Sequence, residues 1–372
     1  MSSLIVPICK IEQINIHPNA DSLELAIVNG WQTSVRKEDN MFVGEMVVYF
    51  PPDTLMPLEL ANRLKVVTYL SISDRNFLGF GRVKSIKLRG EYSHGFPIKI
   101  RDVFSQMAEC DILAMSDGDN VAELLGCLKY EPPEDMSTGG QCVREHPLSH
   151  RYTDIENMRH YPNVFAPDDV VCATEKADGT NSRLIYIVEE DEFMAGSHRT
   201  IKKRPEEGEA DNLYWLPYKM YPQVIDMMKA INGSHMAKVV HVFGEIYGWV
   251  APKLRYGARQ GDHGYRVFDI SVDGKYLPWV QVKKWCEEYK IDVVPEIYVG
   301  KFESIQKIAE FSKGKTVLKS IADGSDVDHI REGVVVKPYN EEMYDHRVGR
   351  KILKYVSDEY LAMKDKDRMK GH

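Results

Sequence analysis

Residues 175–181 read Glu175-Lys176-Ala177-Asp178-Gly179-Thr180-Asn181, directly behind the apolar run VVCAT (170–174). A lysine at the end of an apolar strand, followed by Asp-Gly, sits at a turn where the missing Cβ of glycine lets backbone approach a bound ligand. Alone, such a short pattern recurs by chance, and a solvated lysine beside a turn is its ordinary outcome. Its weight comes from four further segments downstream, in the order FGEIYG (243–248), YRVFDI (265–270), REGVVVKP (331–338) and RKILKYVSDEYL (350–361). These segments alternate with three stretches whose apolar residues recur three or four apart, PQVIDMMKAIN, PWVQVKKWCEEYK and SIQKIAEFSK, which read as helices. Buried strands mixed with helices predict an α+β domain over residues 145–372.

Upstream the texture changes. Leu4 to Ile8, Leu25 to Val28, Gln32 to Val35, Val47 to Phe50, Val83 to Leu88 and Phe96 to Ile100 are short apolar or alternating runs, punctuated by HPNAD, NGW, PPD and RGEYSHG. Short strands at that density predict a small barrel over residues 1–130. Residues 119–128 (DNVAELLGCL) read as a short helix with Asp119 as N-cap. The stretch EPPEDMSTGGQ concentrates Pro, Gly and acidic residues without periodicity, so a linker is expected over 131–144.

The 372 residues suit two domains, and 43% hydrophobic with 28% charged residues excludes disordered and fibrous classes. Six cysteines lie far apart with no CxxC pair, against a disulfide framework or structural zinc and in favour of reduced thiols in a cytoplasmic protein. No apolar run approaches the ~20 residues that span a bilayer, and the N-terminus lacks a signal-peptide pattern, so no membrane association is expected. The net charge of −8 leaves nucleic-acid binding open, because phosphate needs a basic face and 48 Lys and Arg are enough to make one.

The ordered motifs resemble the covalent nucleotidyltransferase superfamily of ATP-dependent ligases and capping enzymes. ADGTN after Glu-Lys, FGEIYG and EGVVVKP are most similar to the RNA ligases. HPNADSLEL (17–25) and KLRGEYSHGF (87–96) resemble the OB fold of tRNA-binding domains. The whole therefore resembles nick-sealing RNA ligases with an N-terminal OB domain: an OB-type β-barrel, then an adenylyltransferase domain of antiparallel sheets with flanking helices. PLSHRYTDIEN (147–157) is close to a lysine-threonine-aspartate signature of these ligases, but Tyr152 stands where they carry lysine.

The resemblance implies a role for each motif residue. Lys176 attacks the α-phosphate of ATP to form lysyl-AMP, AMP passes to an RNA 5′-phosphate, and a 3′-hydroxyl displaces it. Asp178, Glu245 and Glu332 steer Mg²⁺ or Mn²⁺, and Glu245 also contacts ribose. Phe268 stacks on adenine, Glu175 accepts from the adenine 6-amino group, and Gly179 lets the ligand approach. Asn181 and Arg183 reach phosphate or the nick, and Arg199 contacts ribose or the 5′-phosphate, with Lys202, Lys203 and Arg204 extending a phosphate track. Lys354 is the first candidate for the α-phosphate lysine of the last motif, with Lys337 and Lys351 as substitutes, since no lysine stands two residues after Lys354. His146 and His150 read as non-ligating, and His17 as part of a turn.

The implied partner is RNA, as nicked duplex or RNA/DNA hybrid, with no protein partner. A capping guanylyltransferase is the competing enzymatic reading, disfavoured by Glu175 and by the closeness of Lys354 to the end at His372. A noncatalytic RNA-binding OB protein is the other. Because every residue assigned to adenylylation follows Lys129, a chain starting near Gln141 is expected to keep its reaction with ATP.

Overall fold

The computed structural model describes residues 4–72, 78–131, 140–207, 209, 211–250 and 254–363. The N-terminal part is built on a five-stranded antiparallel sheet in the spatial order Phe96–Lys99, Met46–Phe50, Ile8–Ile16, Leu23–Val28, Trp31–Arg36. A separate hairpin, Ser85–Leu88 with Glu91–His94, closes against its far edge, where Ser34 N donates to Ser93 Oγ and Gln32 Nε2 to the Tyr92 carbonyl. The sheet thus curls into the expected OB-like half-barrel, with alternate residues on two cores: Ile8, Val48 and Phe50 on one face, Cys9, Val47 and Tyr49 on the other.

Two sequence expectations fail here. The first strand of this sheet, Ile8–Ile16, extends well beyond the Leu4 to Ile8 run, and its mostly exposed second half carries too little apolar pattern to mark it. Residues 119–128 form turns rather than a helix. Asn120 bridges to Pro7 and uses Oδ1 to accept from Val6 and Ala122, and Gly126 takes φ +63°. The chain is then drawn out into the short strand Leu128–Lys129, which pairs with Thr54–Pro57.

Of the expected linker 131–144, residues 132–139 lie outside the described set, and Cys142–Val143 already pairs with Ile201–Lys202 of the second domain. That domain is built on two large sheets, with a small hairpin of Tyr344–Asp345 and Gly349–Arg350 beside them. A seven-stranded one is centred on Gly179–Ile187, Val239–Gly248 and His263–Val272, and a five-stranded one on Gly333–Pro338, Val170–Lys176 and Leu353–Val356. The three helices expected from periodicity form as Val224–His235, Trp279–Glu288 and Ile305–Ser312. The first two pack Met227, Met228, Ile231, Trp279 and Val282 onto the larger sheet, and the third seats Ile308 against Val334 and Val336.

The two parts share a buried contact. The Arg159 guanidinium lies 4.1 Å from the Trp31 ring centroid and 3.9 Å from that of Tyr355, while Asp358 accepts from Arg159 at 2.6 Å and faces His94 at 3.2 Å.

Candidate functional site

Strand alternation decides which side chains meet. In the smaller sheet Val334, Val336, Leu353 and Tyr355 turn to one core. Their neighbours Val335, Lys337, Ile352 and Lys354 face the opposite way, into a cavity of about 350 Å³ between the sheets. Thr174 and Lys176 share that wall, and Asn181, Glu245 and Phe268 line it from the larger sheet. Tyr152, Thr153, His198 and Lys129 also line it, so part of the lining comes from the N-terminal domain.

Lys176 stands at the strand end, 29% exposed, with Nζ 2.7 Å from Glu332 Oε1. Burial alone would lower its pKa, but the charges of Glu332 and Glu245, the Glu332 hydrogen bond and Asp178 outweigh it and hold Lys176 above its ordinary value. Lys354 responds oppositely. Burial, then the repulsion of Lys176 and Lys129, brings it down to about 8. Lys129 is itself lowered, chiefly by burial.

The aromatic wall depends on a β-bulge. In the ladder between Val239–Gly248 and His263–Val272, Phe243 pairs with Asp269 and Gly244 with Val267, so Phe268 has no partner across the strand. Its carbonyl accepts from Lys337 Nζ at 2.7 Å, and its ring meets Tyr152 edge-on at 4.9 Å. Beneath it Asp269 is fully buried and accepts from Tyr152 Oη at 2.6 Å, Lys337 Nζ at 3.1 Å and Arg350 Nη1 at 2.7 Å. Burial would raise this carboxyl, yet Arg350, Lys337 and the hydrogen bonds keep it below its ordinary value. Tyr152, in the place of a lysine, therefore orders this network instead of offering a cation.

Gly179 marks a close approach. A Cβ there would lie 2.2 Å from the Ile246 carbonyl oxygen and 2.9 Å from Glu245 Cγ.

Several expected site residues have their side chains engaged away from the cavity. Glu175 pairs with Val334 on the face opposite Lys176, and its carboxylate accepts from Thr316 Oγ1 and from Val317 N, so only its backbone is left to meet a base. Asp178 is buried, its Oδ2 accepting from Leu254 N at 2.8 Å while its own N–H donates to Tyr256 Oη. Arg183 lies two residues along the strand from Asn181 but is covered by the 145–150 segment, donating to Glu145 Oε1 at 2.6 Å and to the His150 and Ser197 carbonyls. Lys351, three residues from Lys354 and so of opposite facing, pairs with Asp169 at 3.1 Å.

Arg199 does not line the cavity and donates to Glu131, at the start of the linker, at 2.5 Å. Of the supposed phosphate track, Lys202 is buried, Lys203 pairs with Glu206, and Arg204 packs over Trp215.

Among the described residues no three His, Cys, Asp or Glu side chains stand grouped as a ready metal cage, although the charges of Glu332, Glu245 and Asp178 all act on Lys176. Glu332 and Glu245 remain beside Lys176. That donor set fits a hard cation that keeps waters and shares ligands with phosphates, not one caged by protein alone.

Motif reading missed Lys129, His198 and Ile352. Ile352 lines the cavity two residues before Lys354. Lys129 belongs to no motif, and nothing in its local sequence marks it.

A family model described as RNA ligase matches residues 169–356, and an OB-fold domain model matches residues 5–100. Solved structures of Naegleria gruberi RNA ligase superpose over nearly the whole chain. A variant with AMP and manganese gives a TM-score of 0.75 at 20% identity, over 96% of this chain and 98% of that one. A variant with ATP and manganese gives 0.74 at 20%, over 96% and 99%. The form with pyrophosphate gives 0.72 at 22%, over 98% and 100%. No curated protein matches the sequence significantly.

Proposed function

The chain belongs to the RNA ligase family, and on that premise we propose that it is an ATP-dependent enzyme that joins RNA 3′-hydroxyl and 5′-phosphate ends through a lysyl-AMP intermediate. The observation that carries this reading is Lys176, set in a pocket with one aromatic wall and two carboxylates beside it, and with Lys337 and Lys354 on neighbouring strands of the same sheet.

Adenine fits against Phe268, whose ring is braced by Tyr152. The α-phosphate lies between Lys176 and Lys354, and Lys129 reaches the outer phosphates from the N-terminal domain. Lys176 Nζ, after losing a proton, attacks the α-phosphorus as pyrophosphate leaves. An RNA 5′-phosphate oxygen then takes the AMP from Lys176, and a 3′-hydroxyl displaces AMP to form the phosphodiester. Glu332 and Glu245 would hold Mg²⁺ or Mn²⁺, which neutralises phosphate charge and competes with Lys176 for Glu332. Lys354 stabilises the charge that develops on the α-phosphate oxygens.

Nicked duplex RNA or an RNA/DNA hybrid is the substrate this reading favours, the OB domain supplying sequence-independent backbone contacts. Six free cysteines suit a reducing, cytoplasmic setting.

The test is intact mass after mixing with ATP and metal, then peptide mapping. AMP on Lys176 supports the proposal, and AMP on another lysine, or none in active protein, overturns it. Label retained from GTP and not from ATP would mark a capping enzyme instead.

A further inference from the structure

Outside the pocket, Cys142 and Lys202 face each other across the two-residue ladder that attaches the end of the linker to the second domain. The flanking pair is the hydrogen-bonded one, with Lys203 N donating to the Gln141 carbonyl at 2.8 Å. Cys142 and Lys202 therefore form a non-hydrogen-bonded pair, the closer kind for side chains. Lys202 Nζ lies 3.5 Å from Cys142 Sγ.

Lys202 is only 7% exposed, and among the described residues no carboxylate pairs with it. The Tyr214 ring lies 5.6 Å from its Nζ. A buried cation normally takes an anionic partner, because its desolvation is otherwise uncompensated. Here the group in reach is a sulfur, and Cys142 is solvent-exposed, so a small oxidant reaches it.

We propose that this pair is an oxidisable lysine–cysteine cross-link site. A peroxide converts the Cys142 thiol to a sulfenic acid: sulfur loses two electrons, an S–O bond forms, and the peroxide is reduced to water. The Lys202 ammonium gives a proton to solvent, and the Nζ lone pair attacks sulfur. The N–S bond forms as the S–O bond breaks, and hydroxide leaves with the second amine proton as water. A small thiol reverses the link by attacking sulfur and releasing the amine, after which a second exchange restores the Cys142 thiol. The link joins the strand at the linker's end to the strand that follows the 197–200 turn bearing Arg199, so in the oxidised chain this edge cannot separate. The site is independent of the ligase reading.

The experiment treats the full chain with hydrogen peroxide, alkylates remaining thiols, digests without reductant and maps peptides by mass. The expected product joins the Cys142 and Lys202 peptides, two hydrogens lighter than their sum, and disappears with dithiothreitol. Cys110 is the internal control, being exposed with its sulfur near Asp111 and not a lysine. Dimedone, which traps sulfenic acid, should label Cys142 severalfold less than Cys110. Lys202→Arg, which keeps the cation but removes the amine, should bring the two to equal labelling. No linked peptide in the native chain, with Cys142 labelled or over-oxidised as fully as Cys110, overturns the proposal whether or not the variant folds.

Discussion

The opposite pKa shifts of Lys176 and Lys354 give the reaction with ATP an unusual pH profile. At subsaturating ATP, the rate constant for lysyl-AMP formation divided by ATP concentration reports groups in the free enzyme. Lys176 must be an unprotonated amine. With an ordinary value of 10.5, about one lysine in a thousand meets that condition at pH 7.5, a cost of about 4 kcal/mol, and the upward shift enlarges it. Lys354 must carry a proton to neutralise phosphate, and it loses that proton near 8. Below pH 8 the rate should climb about tenfold per unit, as more Lys176 becomes amine while Lys354 stays charged. Above pH 8 the gain at Lys176 is cancelled by the loss at Lys354, and the curve should flatten. Lys354→Arg keeps a cation at every accessible pH, so its curve, although lower, should keep climbing past pH 9. The assay is quenched-flow labelling from pH 7 to 9.5 at constant free metal. A flat wild-type curve below pH 8, or a break that stays near 8 in Lys354→Arg, would refute the reasoning.

Glu332→Ala and Glu245→Ala should each lower turnover by orders of magnitude more than they alter KM for ATP; near-normal kcat in both, with activity insensitive to chelator, would remove them from the metal site. Gly179→Ala should cost about 1–3 kcal/mol in thermal unfolding, and its lysyl-AMP yield should fall because the new methyl displaces Glu245. Asp269→Asn should cost about 3–5 kcal/mol, since it leaves buried Arg350 and Lys337 undercompensated. The native Asp269 carboxyl is held below 3.8, so the stability it gives is present above that pH and is lost as pH falls through the lower native value; urea titrations at pH 2–5 should show this loss in wild type and less of it in the variant. Lys129→Ala should slow reaction with ATP and spare sealing of pre-adenylylated ends. A chain starting near Gln141, expected from the motifs alone to keep its reaction with ATP, should instead share the defect because it lacks Lys129, and full ATP reactivity in that truncation would place Lys129 outside the site.

Residue order along single strands made much of the site readable. Lys176, Glu245, Phe268, Lys337 and Lys354 sit in motifs whose alternation carries them to one cavity. Facing was harder to read. Glu175 adjoins Lys176 in sequence, and for that reason points away from it in a strand. Arg183 has the correct facing but is covered by the 145–150 segment, a tertiary contact that no local pattern announces. Lys351 fails by parity, three residues from Lys354. Lys129 reaches the pocket only because the first domain packs against the second. The helix expected over 119–128 had adequate propensity, but Asn120 and Gly126 tie that stretch to the barrel as turns.

The single unpaired residue at Phe268 also acts as a change of reading frame within its strand. Before it, Tyr265 and Val267 point into the core of the larger sheet; after it, Ile270 and Val272 do, so the inward positions switch from odd to even numbers. Deleting Phe268 would restore an unbroken ladder with Ile270 and Val272 still facing the core opposite Val242 and Val240 and Asp269 still opposite Phe243, so the loss would fall on the pocket, which would give up its aromatic wall and the carbonyl that holds Lys337. The extra residue therefore belongs to the pocket and not to the core, and the strand can carry it because the ladder closes again on either side of it. A one-residue insertion or deletion elsewhere in the paired stretch has no such slack and would turn core positions outward.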